Sequence, residues 1–351
     1  MAPTEQKSLL LESKFGDFAL SSFPVPKAKS GEVLVKIHAS GLNPVDWKIQ
    51  KYGLFLEDFP AILGADVAGE VIELGEGVSE SQVAVGDRVF FQSPYNGNDY
   101  GGFQQYAAGE VATLAKIPSH LSYDDVATIP GAFTAAYIGL YNVAPLGFGF
   151  EAPVRAGARG KYAGTPIVIL GGSTSVGQYA IQLAKLSGFS PIITTASPSH
   201  SEHLKALGAT HVLDRKAPLT KESIKSITEI PINVVYDTVS VPDTQKVAFE
   251  LVEAGGQIAI TLPADSTLEE RAPKENKSFA SIMGSKLHPQ NVELFREAWP
   301  HVTALLEEGA LKPNRFEILP GGLNGIVGGL KRLEANAVSG FKLIAHPQET
   351  A

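Results

Sequence analysis

The chain has 351 residues, 44% hydrophobic and 19% charged, with a formal net charge of −8; this length suggests about two domains, each with enough apolar chain for a core. It has no cysteine, which excludes disulfides, thiolate zinc sites and a cysteine nucleophile, and its acidic balance argues against nucleic acid as a partner, because phosphate binding needs a basic face. No apolar run approaches a membrane span and the first residues lack a signal-peptide pattern, so no membrane contact and a cytoplasmic location are expected.

Residues 7–130 read as β-rich. Segments 8–11, 18–21 and 32–39 are strand-like by alternation or β-branched content. Residues 40–49 leave the last of these strands and start a short helix, with Pro44 at a turn or at the first helical position. Segment 60–75 is a glycine-punctuated strand run, 86–91 a turn entering another strand, and 93–102 a polar, aromatic loop; 103–108 and 113–117 are further strands. Many short strands with glycine corners predict a small, partly open β-barrel. A helix is expected over 123–127, and a long helix starting within 129–137 joins the two domains. Segment 144–164, rich in glycine, reads as loop.

Residues 167–170 are a short β-branched run, 171–177 a glycine turn, and the amphipathic pattern that follows ends at Gly188. Strand, glycine turn and helix open a dinucleotide-binding βαβ unit. Such a turn is tight, lets the backbone approach a pyrophosphate and aims the first helical N–H groups at an anion. Gly172 and Gly177 fit the outer glycines of G-x-G-x-x-G, while Thr174 replaces the middle one. Gly172, Ser173, Thr174, Ser175, Val176 and Gly177 are therefore the expected phosphate cradle; the alternative is a strand–helix turn with structural glycines. The next strand, 190–195, ends where an acidic residue would hold the ribose 2′-OH of NAD. The chain instead has Thr195, Ser197, Ser199, His200 and Ser201, with Lys205 further on. Hydroxyls and a basic group suit a 2′-phosphate, hence NADPH; the alternative is a Ser/Pro-rich turn capping the next helix.

Strands at 210–213, 232–237 and 257–262 then alternate with helices at 221–227 and 243–252, which predicts a doubly wound parallel sheet. Segment 264–277 is expected to be a charged, flexible loop, 279–284 a sixth strand, 289–309 a helix ending at Gly309, and 322–337 a helix. Segment 341–345 is a last strand returned to the first domain. Strand 257–262, as an edge, would pair with its copy in a homodimer, unless 265–277 covers it.

Several stretches together carry a family resemblance: GLNPVDWK (41–48), PAILGADVAGEVIELGEGV (60–78), GDRVF (86–90), GGFQQYA (101–107), Thr134-Ala135, GGSTSVGQYAIQLAK (171–185) and Gly340-Phe341-Lys342. Spread over nearly the whole chain, they resemble the medium-chain dehydrogenase/reductases in their zinc-free quinone oxidoreductase and enoyl reductase branch. Within it the chain is similar to the fungal trans-acting enoyl reductases of polyketide synthases, which share a loop-rich insert before the first Rossmann strand and a Ser/Thr-rich phosphate turn. The resemblance implies an α/β protein with a GroES-like catalytic domain (1–130 and 313–351), a Rossmann domain (131–312) between, and an active site in the cleft. Alcohol dehydrogenases of this superfamily place a zinc-ligating cysteine after the strand that precedes the NPVD stretch, at Asn43 or its neighbours, and a histidine at Ala65; neither ligand exists here, so no metal is expected. Reduction of a C=C bond conjugated to a carbonyl needs no such Lewis acid: hydride goes to the β-carbon and a proton to the α-carbon. The substrate is then an enone or an enoyl thioester, the latter brought by an acyl-carrier or synthase partner. Quinones are an alternative acceptor, and a non-catalytic NADPH-binding protein, as in lens crystallin relatives, is the reading from another class.

The resemblance puts Asn43, Asp46, Lys48 and Tyr52 in the active-site loop. Enolate chemistry needs donors at the carbonyl oxygen and a proton source, and Lys48 is the expected catalytic residue for one of these, unless it is a solvent-facing lysine. Asn43 holds the turn, contacts the nicotinamide ribose or touches substrate. Asp46 caps the helix or binds Lys48; Tyr52 contributes to the site or packs. Thr134 is expected near the nicotinamide or its phosphate. Tyr95, Tyr100 and Phe103 line the substrate pocket or pack. Arg215 meets the 2′-phosphate or solvent, and Thr238 and Leu262 lie at carboxyl ends of strands, where ligands bind in open α/β sheets.

Overall fold

The computed structural model describes residues 2–286 and 288–351, Thr267 by its backbone alone. They form two compact units: the described residues up to Gly131 with Ser285–Glu308 and Pro313–Ala351, and Ala132–Gly284 with Gly309–Lys312. The first unit begins with β1 (Glu5–Leu11), β2 (Phe18–Pro24), β3 (Glu32–Gly41), α1 (Pro44–Tyr52), β4 (Ala61–Ile62), β5 (Asp66–Leu74), β6 (Arg88–Gln92), β7 (Tyr106–Glu110), β8 (Leu114–Lys116) and α2 (Tyr123–Val126). Helix α3 (Pro130–Tyr141) leads into the second unit: β9 (Ile167–Leu170), α4 (Ser175–Ser187), β10 (Ile192–Ala196), α5 (Ser201–Leu207), β11 (His211–Asp214), α6 (Lys221–Lys225), β12 (Val234–Asp237), α7 (Pro242–Leu251), β13 (Gln257–Ile260), α8 (Ser266–Arg271) and β14 (Ser278–Ser281). The chain then returns to the first unit with α9 (Val292–Glu307), β15 (Phe316–Ile318), α10 (Ile326–Glu334) and β16 (Lys342–Ala345).

In the first unit β3 is the organising strand. Val33, Val35 and Ile37 point one way and pack with Val67, Val71, Val89 and Phe91 in an apolar core, the period-2 pattern of a half-buried strand. β3 pairs antiparallel with β5, β7 and β16, within a sheet ordered β15-β16-β3-β5-β6-β8. A second sheet, β2-β1-β4, is separate, so the barrel is open. A second core joins Leu9 and Leu11 of β1, Ile49 of α1, Ile326 and Leu330 of α10 and Leu343 of β16. It seats α1 beside the end of β16, which brings Asn43 and Lys342 together.

The second unit is a six-stranded parallel sheet ordered β11-β10-β9-β12-β13-β14. Numbered within the unit this is 3-2-1-4-5-6, the doubly wound order whose switch point lies between its first and fourth strands. All four residues of β9 are buried, as expected of a strand covered on both faces.

Four expectations are corrected. The strand expected over 103–108 starts later, at Tyr106, because Phe103 and Gln104 bond instead to β1 and its neighbours (Leu9 N to Phe103 O, 2.8 Å; a bridge between Ser8 and Gln104). The segment 264–277 is not all loop: α8 lies within it, with Leu268 and Ala272 buried in the Rossmann core. β14 forms close to the expected sixth strand and pairs with β13, so Gln257–Ile260 is interior and offers no edge to a second copy; the edges are β11 and β14. Finally, 285–308 packs with the first unit rather than the nucleotide domain: Trp299 lies 5.8 Å from Phe90, and Thr303 Oγ1 donates to Lys116 O at 2.8 Å. The amphipathic face of α9 buries Phe295, Trp299 and Val302, and that apolar stripe decides its partner.

Candidate active site

In the second unit the glycine turn 171–177, the expected phosphate cradle, is held mainly by backbone. Gly171 has φ +80°, a conformation glycine adopts without strain, and its N–H donates to Thr195 Oγ1 at 3.0 Å; the Gly172 N–H donates to Thr195 O at 2.9 Å. A Cβ on Gly172 would strike Thr194, and one on Gly177 the Gly171 backbone. Thr174 caps α4, its Oγ1 accepting from the Gly177 N–H at 2.9 Å and lying 2.8 Å from Thr238 Oγ1. Thr238 in turn donates to Leu170 O at 2.8 Å. Thr174 and Thr238 thus link the two strands of the switch point, and the threonine side chain turns inward where a glycine was expected. The Ser173 and Val176 N–H groups make no hydrogen bond among the described residues, leaving donors for an anion at the α4 N-terminus, with Ser175 beside them. Thr134 is buried, and its Oγ1 has no partner among the described residues.

Beyond β10, Ser197 and His200 are partly exposed, and Ser199, Lys205 and Arg215 are exposed. The Arg215 N–H donates to Ala196 O at 3.0 Å, which fixes its backbone beside the end of β10. Asp214 pairs in register with Ala196, and its carboxylate accepts from the Lys216 N–H at 3.0 Å. Leu262 follows β13 and is partly exposed.

In the first unit five separated segments converge on Asn43. Asn43 starts α1 and its N–H donates to Asp46 Oδ2 at 2.8 Å, a helix-capping bond. Asp46 is fully buried, and its Oδ1 accepts from the Tyr95 hydroxyl at 2.9 Å. Burial pushes the Asp46 carboxyl up to about 7, and burial and Asp46 push the Tyr95 phenol up. Besides this capping box the Asn43 amide meets two charged groups: Nδ2 donates to Asp66 Oδ2 at 3.0 Å, and Oδ1 accepts from Lys342 Nζ at 2.9 Å. Lys342 and Asp66, both buried, form an ion pair. Asp66 Oδ1 accepts the Gly131 N–H at 2.6 Å, a carboxylate at the positive end of α3. A side chain at Gly131 would reach Asp66 Oδ1 and the Asn43 amide.

Of the other expected residues, Lys48 is half-buried, its Nζ 5.5 Å from the Trp47 ring centre. Among the described residues no carboxylate pairs with it, and burial lowers its pKa. Asp46 therefore caps the helix and does not bind Lys48. Tyr52 is 52% exposed, its ring 5.9 Å from Trp47. Tyr100 is tied to Glu32 (2.9 Å) and Phe103 is fully buried, so of the three aromatics only Tyr95 joins the Asn43 site. Sequence reasoning missed Lys342 and Gly131, and saw Asp66 only as a metal ligand that lacked companions. The available signal was a lysine inside the otherwise apolar strand 341–345.

The model of the alcohol dehydrogenase GroES-like domain matches residues 29–119, and that of the zinc-binding dehydrogenases residues 175–302. A trans-enoyl reductase of Aspergillus sclerotiorum is 31% identical over 348 residues, covering 92% of this chain and 94% of the relative. Another, of Trichoderma harzianum, is 30% identical over 341 residues, with 92% and 90% covered. The chain belongs to the medium-chain dehydrogenase/reductases, in their enoyl reductase branch. As a medium-chain dehydrogenase/reductase it is an oxidoreductase. An alcohol dehydrogenase superfamily protein of Novosphingobium aromaticivorans has the same fold (TM-score 0.79, 26% identity, 96% and 99% covered). So does a quinone oxidoreductase of Coxiella burnetii (TM-score 0.73, 25% identity, 97% and 98% covered).

The zinc of one matched family model does not fit this medium-chain dehydrogenase/reductase. Ala65 offers a methyl group, the chain has no cysteine, and both Asp66 oxygens are engaged by Asn43, Lys342 and Gly131. Among the described residues no three His, Cys, Asp or Glu are grouped to hold a metal. The nicotinamide cofactor of the family does fit. The 3-2-1-4-5-6 sheet, the N–H groups of Ser173 and Val176 and the unpartnered, buried Thr134 hydroxyl are suited to hold it.

Proposed function

We propose that this protein is an NADPH-dependent reductase of activated C=C bonds, acting on an enone or enoyl thioester. The observation that carries the reading is the lack of metal ligands at Asn43 and its neighbours and at Ala65, with Asp66 taken up by Lys342, in a chain similar almost end to end to trans-enoyl reductases. A site without a Lewis acid suits conjugate reduction better than alcohol oxidation. When bound, the reduced nicotinamide supplies the hydride that goes to the substrate's β-carbon. Lys48, with no carboxylate paired to it among the described residues and a pKa lowered by burial, supplies the proton at the α-carbon. Ser197, Ser199, His200, Lys205 and Arg215 are the proposed contacts of the 2′-phosphate. A thioester substrate would arrive on an acyl-carrier or synthase partner.

The test is oxidation of NADPH and of NADH across enones, enoyl thioesters and quinones, with calorimetric titration of both cofactors. Turnover of the first two classes and tighter binding of NADPH are expected. Turnover of quinones alone would favour the second reading, which the quinone oxidoreductase of similar fold supports; equal affinity for the two cofactors would remove the 2′-phosphate contacts.

A further inference from the structure

The Asn43 amide is held by a closed ring of three hydrogen bonds. Lys342 Nζ donates to Asn43 Oδ1 and also to Asp66 Oδ2, and Asn43 Nδ2 donates to the same Asp66 oxygen. An ammonium has only donors and a carboxylate only acceptors, so the amide has one possible orientation. The ring closes over the edge that carries Oδ1 and the N–H on the oxygen's side. The second N–H of Nδ2, on the Cβ side, points away from the pair and has no partner among the described residues. Asn43 is partly exposed, whereas Asp66 and Lys342 beneath it are buried. The capping box of α1 uses the Asp46 carboxylate and the oxygen side of the Asn43 amide, so capping does not account for the two bonds to Lys342 and Asp66. Nor does stability account for it well, because a buried ion pair commonly contributes no more than an apolar pair of the same volume.

We propose that Lys342 and Asp66 are positioning residues, which lock the Asn43 amide so that its second N–H donates to the carbonyl oxygen of the substrate. This rests on the reading of the protein as a reductase of unsaturated carbonyl compounds. A donor whose orientation is set before substrate arrives needs no reorganisation as charge develops on that oxygen, the property that makes such donors effective. It also divides the labour: Asn43 holds the oxygen and Lys48 delivers the proton. The locked Asn43 N–H supplies in neutral form what a metal would supply as charge, a fixed electrophile for the carbonyl oxygen.

The test combines kinetics and spectroscopy on the full chain. Asn43→Ser replaces the locked amide N–H by a shorter hydroxyl that the ring does not hold, and the double variant Asp66→Asn with Lys342→Met removes both charges together, leaving no uncompensated ion. Each is expected to lower kcat on a short-chain enoyl thioester by about a hundredfold, with NADPH affinity within about threefold of wild type. In protein labelled with 15N-asparagine, the resonance lost in Asn43→Ser identifies the amide. Adding the enoyl thioester with oxidised cofactor should shift one of its two protons and leave the other in place. Retained kcat in Asn43→Ser, or a loss confined to cofactor binding, overturns the proposal; if the double variant does not fold, Asn43→Ser decides. If wild type turns over no unsaturated carbonyl compound, the reductase reading fails separately. The amide proton then decides alone: a shift on adding the thioester supports the donor, and an unmoved resonance overturns it.

Discussion

The phosphate turn uses consecutive residues and mostly their backbone; the Asn43 cluster uses six residues from five separated segments and mostly their side chains. Within 171–177 the chain closes on itself and on Thr195 and Thr238, and the groups left for an anion are N–H groups of Ser173 and Val176. Thr174 can therefore stand where a glycine was expected, because its side chain caps α4 and the anion-facing groups remain backbone. Around Asn43 most contacts depend on residue identity: a carboxylate at 66, an ammonium at 342, a phenol at 95 and, at 131, whose backbone N–H makes the bond, no side chain. The first region tolerates substitution where the backbone is preserved. The second is sensitive, because charges buried without partners are costly.

The strongest way to break this contrast is Lys342→Met alone. It leaves Asp66 buried without its ammonium, and a loss of about 3–5 kcal/mol in unfolding free energy is expected by chemical denaturation. A loss under about 1 kcal/mol would mean that water or Asn43 compensates the carboxylate. Lys48→Ala comes next. It should lower kcat on an enone or enoyl thioester by roughly a hundred- to a thousandfold, about 3–4 kcal/mol in the barrier, with NADPH affinity nearly unchanged. Turnover within about threefold of wild type would make Lys48 a surface lysine.

Asp46 sharpens the comparison through pH. Its folded-state pKa, about 7, lies above the ordinary carboxylate value of 3.8. Between these values the folded protein binds the proton that the unfolded chain releases, so this group's contribution is full below about pH 4 and is lost as pH rises through about 7. Wild-type stability should therefore fall by about 2–3 kcal/mol more than that of Asp46→Asn between about pH 5 and pH 8, whatever constant offset the variant carries. Parallel stability curves for the two proteins would show that Asp46 keeps an ordinary pKa. The smallest effect belongs to the turn: Thr174→Ala removes one N-cap and should cost about 1 kcal/mol, with NADPH affinity changed less than about threefold. A larger loss of affinity would show that the Thr174 side chain meets the cofactor and that the turn is not backbone-driven.

The sequence alone determined most of what rests on local pattern. The β-branched run before Gly171, the alternating segments after it and the glycine-cornered strands before 130 set the two kinds of sheet, because period and turn chemistry act over a few residues. The family, the strand–glycine turn–helix at 167–188 and the lack of cysteine were legible for the same reason: each is a short motif or the lack of one residue type. Only the tertiary structure decided which interior position each long-range partner takes. It placed 285–308 against β8 through the apolar stripe of α9, and closed the β13 edge with β14. It also set the lysine of a C-terminal strand against a carboxylate 276 residues earlier, with Asn43 between them (342 − 66). That pairing has no local signature. A buried ion pair is chosen by the exclusion of water and the geometry of the packed strands around it, and neither exists until β16 has docked beside β3.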